Sequence, residues 1–121
     1  MLGYAVALAV LAPGPITIQR VVGAIVLYLN IALFFATVYR AISDIEPAAF
    51  SGLSDGAEGP RGVAAIIYFS FVTLTSTGYG DLLPIYPPAR SVATLEAVIG
   101  QLYPATLLAW LVAQHIQGQR R

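Results

Sequence analysis

The chain has 121 residues, 58% hydrophobic and 10% charged, with six arginines, six acidic residues, no lysine and a formal net charge of zero. Soluble domains carry about 25% charged residues, and the clustered cations of a nucleic-acid surface and the acid run of a solvating tail are both missing from the sequence. The lack of cysteine excludes disulfides and thiolate chemistry, the single His115 excludes a multi-histidine metal site within one subunit, and the length allows one domain. What remains is a small integral membrane protein.

Residues 1–12 are apolar but reach only about 18 Å as a helix, too short to cross a bilayer. Pro13-Gly14-Pro15 separates them from the next apolar run. Two readings of residues 1–15 stand: an interfacial helix, or the end of a membrane helix belonging to a longer parent protein. A signal peptide is disfavoured by the missing basic n-region. Val21 to Tyr39 then forms a run of 19 uncharged residues, about 28 Å of helix against a hydrocarbon core of about 30 Å. This predicts a spanning outer helix over 17–42. Arg40, Asp44, Glu46, Asp55, Glu58 and Arg61 cluster next, among Pro47, Gly52, Gly56, Gly59 and Pro60. That composition reads as an aqueous turn-rich connection over 43–61.

Gly62 to Gly80 is again uncharged, but only its first half is apolar. Thr73, Thr75, Ser76, Thr77, Gly78, Tyr79 and Gly80 make a poor lipid-facing helix, because irregular backbone survives at membrane depth only inside protein or beside water. The segment therefore reads as a half-length helix over 62–75 that enters the membrane and returns as extended chain over 76–81. After a bend rich in proline (Pro84, Pro87, Pro88), a final apolar stretch predicts a second spanning helix over 88–117, long enough to cross with tilt. Both termini then share one side, with Arg20, Arg120 and Arg121. The opposite mouth holds Arg40, Arg61 and Arg90 against Asp44, Glu46, Asp55, Glu58 and Asp81, an acidic sum of −2 that would concentrate cations.

The stretch Thr73-Leu74-Thr75-Ser76-Thr77-Gly78-Tyr79-Gly80-Asp81 resembles the signature of potassium channels, whose selectivity filter reads Thr-Val-Gly-Tyr-Gly followed by Asp. The aromatic Tyr68-Phe69-Ser70-Phe71 before it, Leu82-Leu83-Pro84 after it and Gly100 within the last helix fit the same pattern. The resemblance covers roughly residues 18–116 and is nearest to two-helix bacterial channels and the pore modules of larger ones. It implies an all-α membrane protein with two transmembrane helices, a re-entrant pore helix and an extended filter loop, assembled as a homotetramer in the cell membrane with both termini cytoplasmic. The implied function is passive K+ conduction with K+ as permeant ion and no cofactor, through rings built by Thr75, Ser76, Thr77, Gly78, Tyr79 and Gly80. Tyr79 would lie in an aromatic cuff with Tyr68 and Phe69, and Asp81 would bond Tyr68. Physical argument supports this: stacked backbone carbonyls replace an ion's water shell, successive carbonyls face one way only if backbone handedness alternates, and Gly78 and Gly80 make positive φ cheap.

Ser76 stands where the family has Thr, and Thr77 where an aliphatic residue is usual. These departures bear on filter rigidity and keep a weakly selective cation channel as an alternative, beside a non-conducting scaffold or regulatory subunit. Enzyme chemistry is not indicated: Gly78-Tyr79-Gly80-Asp81 lacks the lysine and helix start of a phosphate loop. Glu96 is an intramembrane carboxylate and so a functional candidate. It either supports the back of the filter at Thr77 or a neighbouring hydroxyl, or bonds the pore helix or Arg90. Gly100 and Pro104 predict a gating hinge or a static kink, since Pro104 deprives the Gly100 carbonyl of its helix donor. Gln101, Ala105, Leu108 and Val112 are expected to line the cavity and gate. Gln101, Leu108 and His115 share one helix face, and His115 reads as a proton sensor or as an interfacial polar residue. Tyr28, Tyr39 and Trp110 are expected to pack or to anchor at interfaces.

Overall fold

The computed structural model describes residues 2–11, 14–15, 17–53 and 59–120. Pro13, the mouth acids Asp55 and Glu58, and Arg121 lie outside them. Four helices follow in order: α1 (Leu2–Leu11), α2 (Ile18–Ile45), α3 (Pro60–Leu74) and α4 (Pro87–Gln119). The two-residue strands β1 (Phe50–Ser51) and β2 (Leu83–Pro84) pair antiparallel. Among the described residues, helices α2 and α4 are the two that are long and apolar enough to cross a membrane, and α3 is the half-length helix expected between them.

The boundaries differ from the expected ones by one to three residues, for local reasons. Thr17 caps α2, its hydroxyl accepting from the Arg20 amide. The far end runs on to Ile45 instead of 42, and this extra turn carries the Arg40–Asp44 ion pair at 3.2 Å, an i,i+4 pair. Helix α3 starts at Pro60 rather than 62, since proline suits the first helical turn, where no amide hydrogen bond is lost. Pro87 and Pro88 open α4 in the same way. Helix α1 packs on the start of α2, where Gly23 faces Val6 and Val10.

The core lies where α2, α3 and the first half of α4 meet. Tyr39, Phe50 and Phe69 stack edge to face, with ring centroids 5.0–5.7 Å apart, and Phe35, Ile66, Leu82, Ala89 and Ala93 close around them. Small residues on α2 and α4 (Ala32, Ala36, Ala89, Ala93) let the helices approach, as is usual in membranes where apolar area alone gives no drive to associate. The β1–β2 pairing, extended by the Ile85 and Tyr86 amides bonding the Ala49 carbonyl, ties the connection after α2 to the chain that leaves the re-entrant loop. Buried residues of α4 are Ala89, Ala93, Glu96 and Gly100. From Gln101 to Arg120 no residue is buried, so the packed half of α4 ends one turn before Pro104.

Candidate functional site: the re-entrant loop

The site begins with the last turn of α3. A helix leaves its last four carbonyls without intrahelical donors, and here each finds one. Phe71 accepts from the Thr75 amide at 3.1 Å and Thr73 from the Ser76 amide at 3.0 Å. Val72 accepts from the Thr77 amide at 2.9 Å and the Gly78 amide at 3.4 Å. Leu74 accepts from the Tyr28 hydroxyl at 3.2 Å. The expected filter strand is therefore folded back onto the helix that precedes it, through main-chain bonds.

Along the strand, backbone handedness alternates. Ser76, Gly78 and Gly80 have φ of +56°, +58° and +82°, and Ser76 is the only non-glycine residue with positive φ among the described residues. Two of these positions were expected from the glycines. The third, Ser76, gives the departure at 76 a structural reason. A β-branched residue is a genuine outlier at positive φ, so serine carries this backbone at less cost than threonine would. The Thr77 hydroxyl, the other departure, is not left unpartnered. Thr75 Oγ1 donates to the Phe71 carbonyl at 2.8 Å, and Thr77 Oγ1 lies 2.8 Å from Thr75 Oγ1, to which it donates.

Around this strand, Tyr79 stacks on Tyr68 with parallel rings 6.4 Å apart, and the Asp81 carboxylate faces the Tyr68 hydroxyl. Phe69 corrects the expected cuff within the chain: it lies on a different face of α3, in the core against Tyr39 and Phe50. Tyr68 and Phe69 are adjacent, and neighbours on a helix point about 100° apart, so both cannot face the loop.

Glu96 is fully buried and bridges three helices. Its Oε2 accepts from the Tyr39 hydroxyl of α2 at 2.5 Å, and its Oε1 lies 2.5 Å from Ser70 Oγ of α3. Ser70 Oγ is also 2.6 Å from the Ala32 carbonyl. The partner is thus the pore-helix hydroxyl Ser70, and neither Thr77 nor Arg90. Tyr39 and Ser70 were not singled out for this role. Their signal was a hydroxyl inside an apolar run, where a buried polar atom must find a partner.

Gly100 lies against the end of α3. A Cβ placed on it would sit 1.8 Å from the Leu74 oxygen and 2.7 Å from the Leu74 carbonyl carbon. Its own carbonyl, deprived of a donor by Pro104, lies 3.5 Å from the Tyr28 hydroxyl, which thus stands between Gly100 and Leu74. Tyr28 stacks on Tyr103, whose hydroxyl bonds the Ala24 carbonyl at 2.7 Å. Gln101, next in sequence, donates from Nε2 to Ser76 Oγ at 2.9 Å. Ala105, Leu108 and Val112 lie exposed on the half of α4 that follows Gly100. An apolar cavity of about 300 Å³ flanks Pro104, between α2 and α4. His115 makes a helix-end contact with Gln119 at 3.2 Å.

Comparison with known proteins places this geometry. The profile of a family described as ion channels matches residues 27–115. A potassium voltage-gated channel subfamily A member 10 from Mus musculus is 34% identical over 76 residues, covering 63% of this chain and 13% of that protein. The inward rectifier potassium channel Kirbac3.1 from Paramagnetospirillum magnetotacticum is 33% identical over 100 residues, covering 83% of this chain and 30% of that protein. Protein LctB from Bacillus caldotenax is 34% identical over 83 residues, covering 67% of this chain and 61% of that protein. The chain thus spans less than two thirds of the length of each of these relatives. The matched residues run from the middle of α2 through the whole re-entrant loop to the last turns of α4, and the chain belongs to the ion channel family.

Proposed function

We propose that four copies of this chain surround a common axis and form a passive, potassium-selective pore in the cell membrane, with both termini on the cytoplasmic side. The observation that carries this reading is the alternation of backbone handedness at Ser76, Gly78 and Gly80, on an uncharged strand held to the end of a half-length helix. Alternation turns successive carbonyls to one side, and stacked carbonyl rings are what a dehydrated cation needs. One strand supplies one quarter of each ring, so closure needs a cyclic tetramer. The names of two relatives as potassium channels support the choice of ion. In this reading the ion ligands are Thr75, Ser76, Thr77, Gly78, Tyr79 and Gly80; Tyr68, Asp81 and Glu96 support them; and Gln101, Ala105, Leu108 and Val112 line the inner passage.

Purified protein in liposomes is expected to pass K+ and Rb+ and to exclude Na+. Gly78→Ala should abolish the flux, because an L-residue in left-handed backbone costs about 1–2 kcal/mol at every subunit. Equal K+ and Na+ fluxes would replace this reading with a weakly selective channel. An intact tetramer with no flux would replace it with a scaffold.

The gate is assigned to the half of α4 that follows Gly100, pivoting between Gly100 and Pro104. Pro104→Ala restores the amide that the Gly100 carbonyl lacks. It should stiffen the pivot by about 3 kcal/mol and lower open probability in single-channel records, with the tetramer still assembled. An unchanged open probability would make the bend a static feature.

A further inference from the structure

We propose that the four Ser76 hydroxyls form an ion-binding ring at the inner end of the strand, and that Gln101 is a positioning residue that sets ion specificity there by fixing the hydroxyl of Ser76. The inference rests on the channel reading above. Three independent features converge on it. The left-handed backbone at residue 76, φ +56°, is carried by a serine, which lacks the β-branch that would restrict χ1. The hydroxyl is therefore free to take any of three staggered positions, and a ring built from four such groups would have no fixed radius. The Gln101 amide then supplies the restraint that the side chain lacks, with Nε2 2.9 Å from Ser76 Oγ.

The third feature is what holds Gln101. It follows Gly100, the last buried residue of α4, whose Cα rests directly on the Leu74 carbonyl. Two residues after Leu74 comes Ser76. The donor and acceptor are thus both one or two residues from a contact between backbones that has no slack, and the bond is set by the packed half of the fold. The N–H occupies one lone pair of Oγ and leaves the other for a cation. A smaller ion such as Na+ is held well only if its ligands close in around it. A hydroxyl tethered to the inner helix cannot follow, whereas an untethered one can.

The test uses the full chain reconstituted as tetramers in planar bilayers, with bi-ionic K+/Na+ reversal potentials. Gln101→Met, similar in length but without an N–H, is expected to raise the permeability of Na+ relative to K+ about fivefold, the ratio corresponding to one neutral hydrogen bond. Gln101→Asn keeps the amide but is one methylene shorter, and should do the same. Ser76→Ala should shift the ratio too, and in that background Gln101→Met should have no further effect, because the residue acts through Ser76. The proposal is overturned if both Gln101 variants keep the native ratio, or if Gln101→Met has its full effect without the Ser76 hydroxyl. A native protein that carries no selective K+ current would overturn the channel reading instead, and this inference with it.

Discussion

Gly100→Ala is expected to leave no conducting channel and to lower the thermal stability of the assembly. The two roles open to Gly100 give opposite signs, so the experiment separates them. If glycine serves only as a flexible point in the helix, alanine should stabilise α4 by about 1 kcal/mol through helix propensity and change gating alone. The structure shows a close approach instead. The added Cβ would lie 1.8 Å from the Leu74 oxygen, and the obstacle is backbone, so no rotamer change relieves it. Overpacking of this kind costs about 1–3 kcal/mol per subunit, and in the proposed tetramer every copy would meet it. Relief requires α4 to part from the end of α3. That movement draws Gln101 off Ser76, the bond that ties the inner helix to the strand, and the Gly100 carbonyl away from the Tyr28 hydroxyl. Flux from reconstituted protein and the temperature of tetramer dissociation are the measurements. A Gly100→Ala protein as stable as the native one, with altered gating only, would return Gly100 to the role of a pure hinge.

The contrast with Pro104 shows which parts of the site were legible in the sequence. The helices and the re-entrant loop could be read because the bilayer imposes length and charge exclusion on every spanning segment, and those constraints act on composition residue by residue. The left-handed positions at Gly78 and Gly80 could be read because glycine is the residue that takes positive φ at no steric cost. Ser76 could not, since positive φ at a serine is imposed by its neighbours. The spacing of Gly100 and Pro104 announced a weak turn, and the missing donor is real, but spacing along one helix says nothing about which backbone lies across from it. The cuff failed at Phe69 for a similar reason: adjacent aromatics are equal in composition, and only the orientation of α3 decides which meets Tyr79 and which meets Tyr39. Glu96 announced itself as a lone carboxylate in an apolar run, yet its partners are 26 and 57 residues away in sequence, where local pattern carries no signal.

Those partners give Glu96 the second large expected effect. Glu96→Ala removes the one group that joins Tyr39 of α2 to Ser70 of α3, and all three residues are fully buried. The Tyr39 hydroxyl is left as an unpaired donor in an aromatic core, which costs about 1–3 kcal/mol, and the vacated volume adds a packing loss of similar order. A fall of roughly 10 °C in the melting of the assembly follows from a loss of about 3 kcal/mol. Glu96→Gln should behave differently. The Ser70 hydroxyl has one hydrogen and stands within bonding distance of two oxygens, the Ala32 carbonyl and Glu96 Oε1. A side chain with one donor and one acceptor closes that set: its donor serves Ser70 Oγ, Ser70 serves Ala32, and its acceptor receives Tyr39. Glutamine has both, in nearly the same shape, so Glu96→Gln should keep assembly, flux and selectivity close to native. Ser70→Ala and Tyr39→Phe should each fall between Gln and Ala in stability, and combined with Glu96→Ala should cost less than the sum of the separate losses, since the bonds are shared. If Glu96→Gln were as damaging as Glu96→Ala, the carboxylate charge itself would be what the site requires, and the three-helix hydrogen-bonded tie would not explain why an acid is kept at this depth.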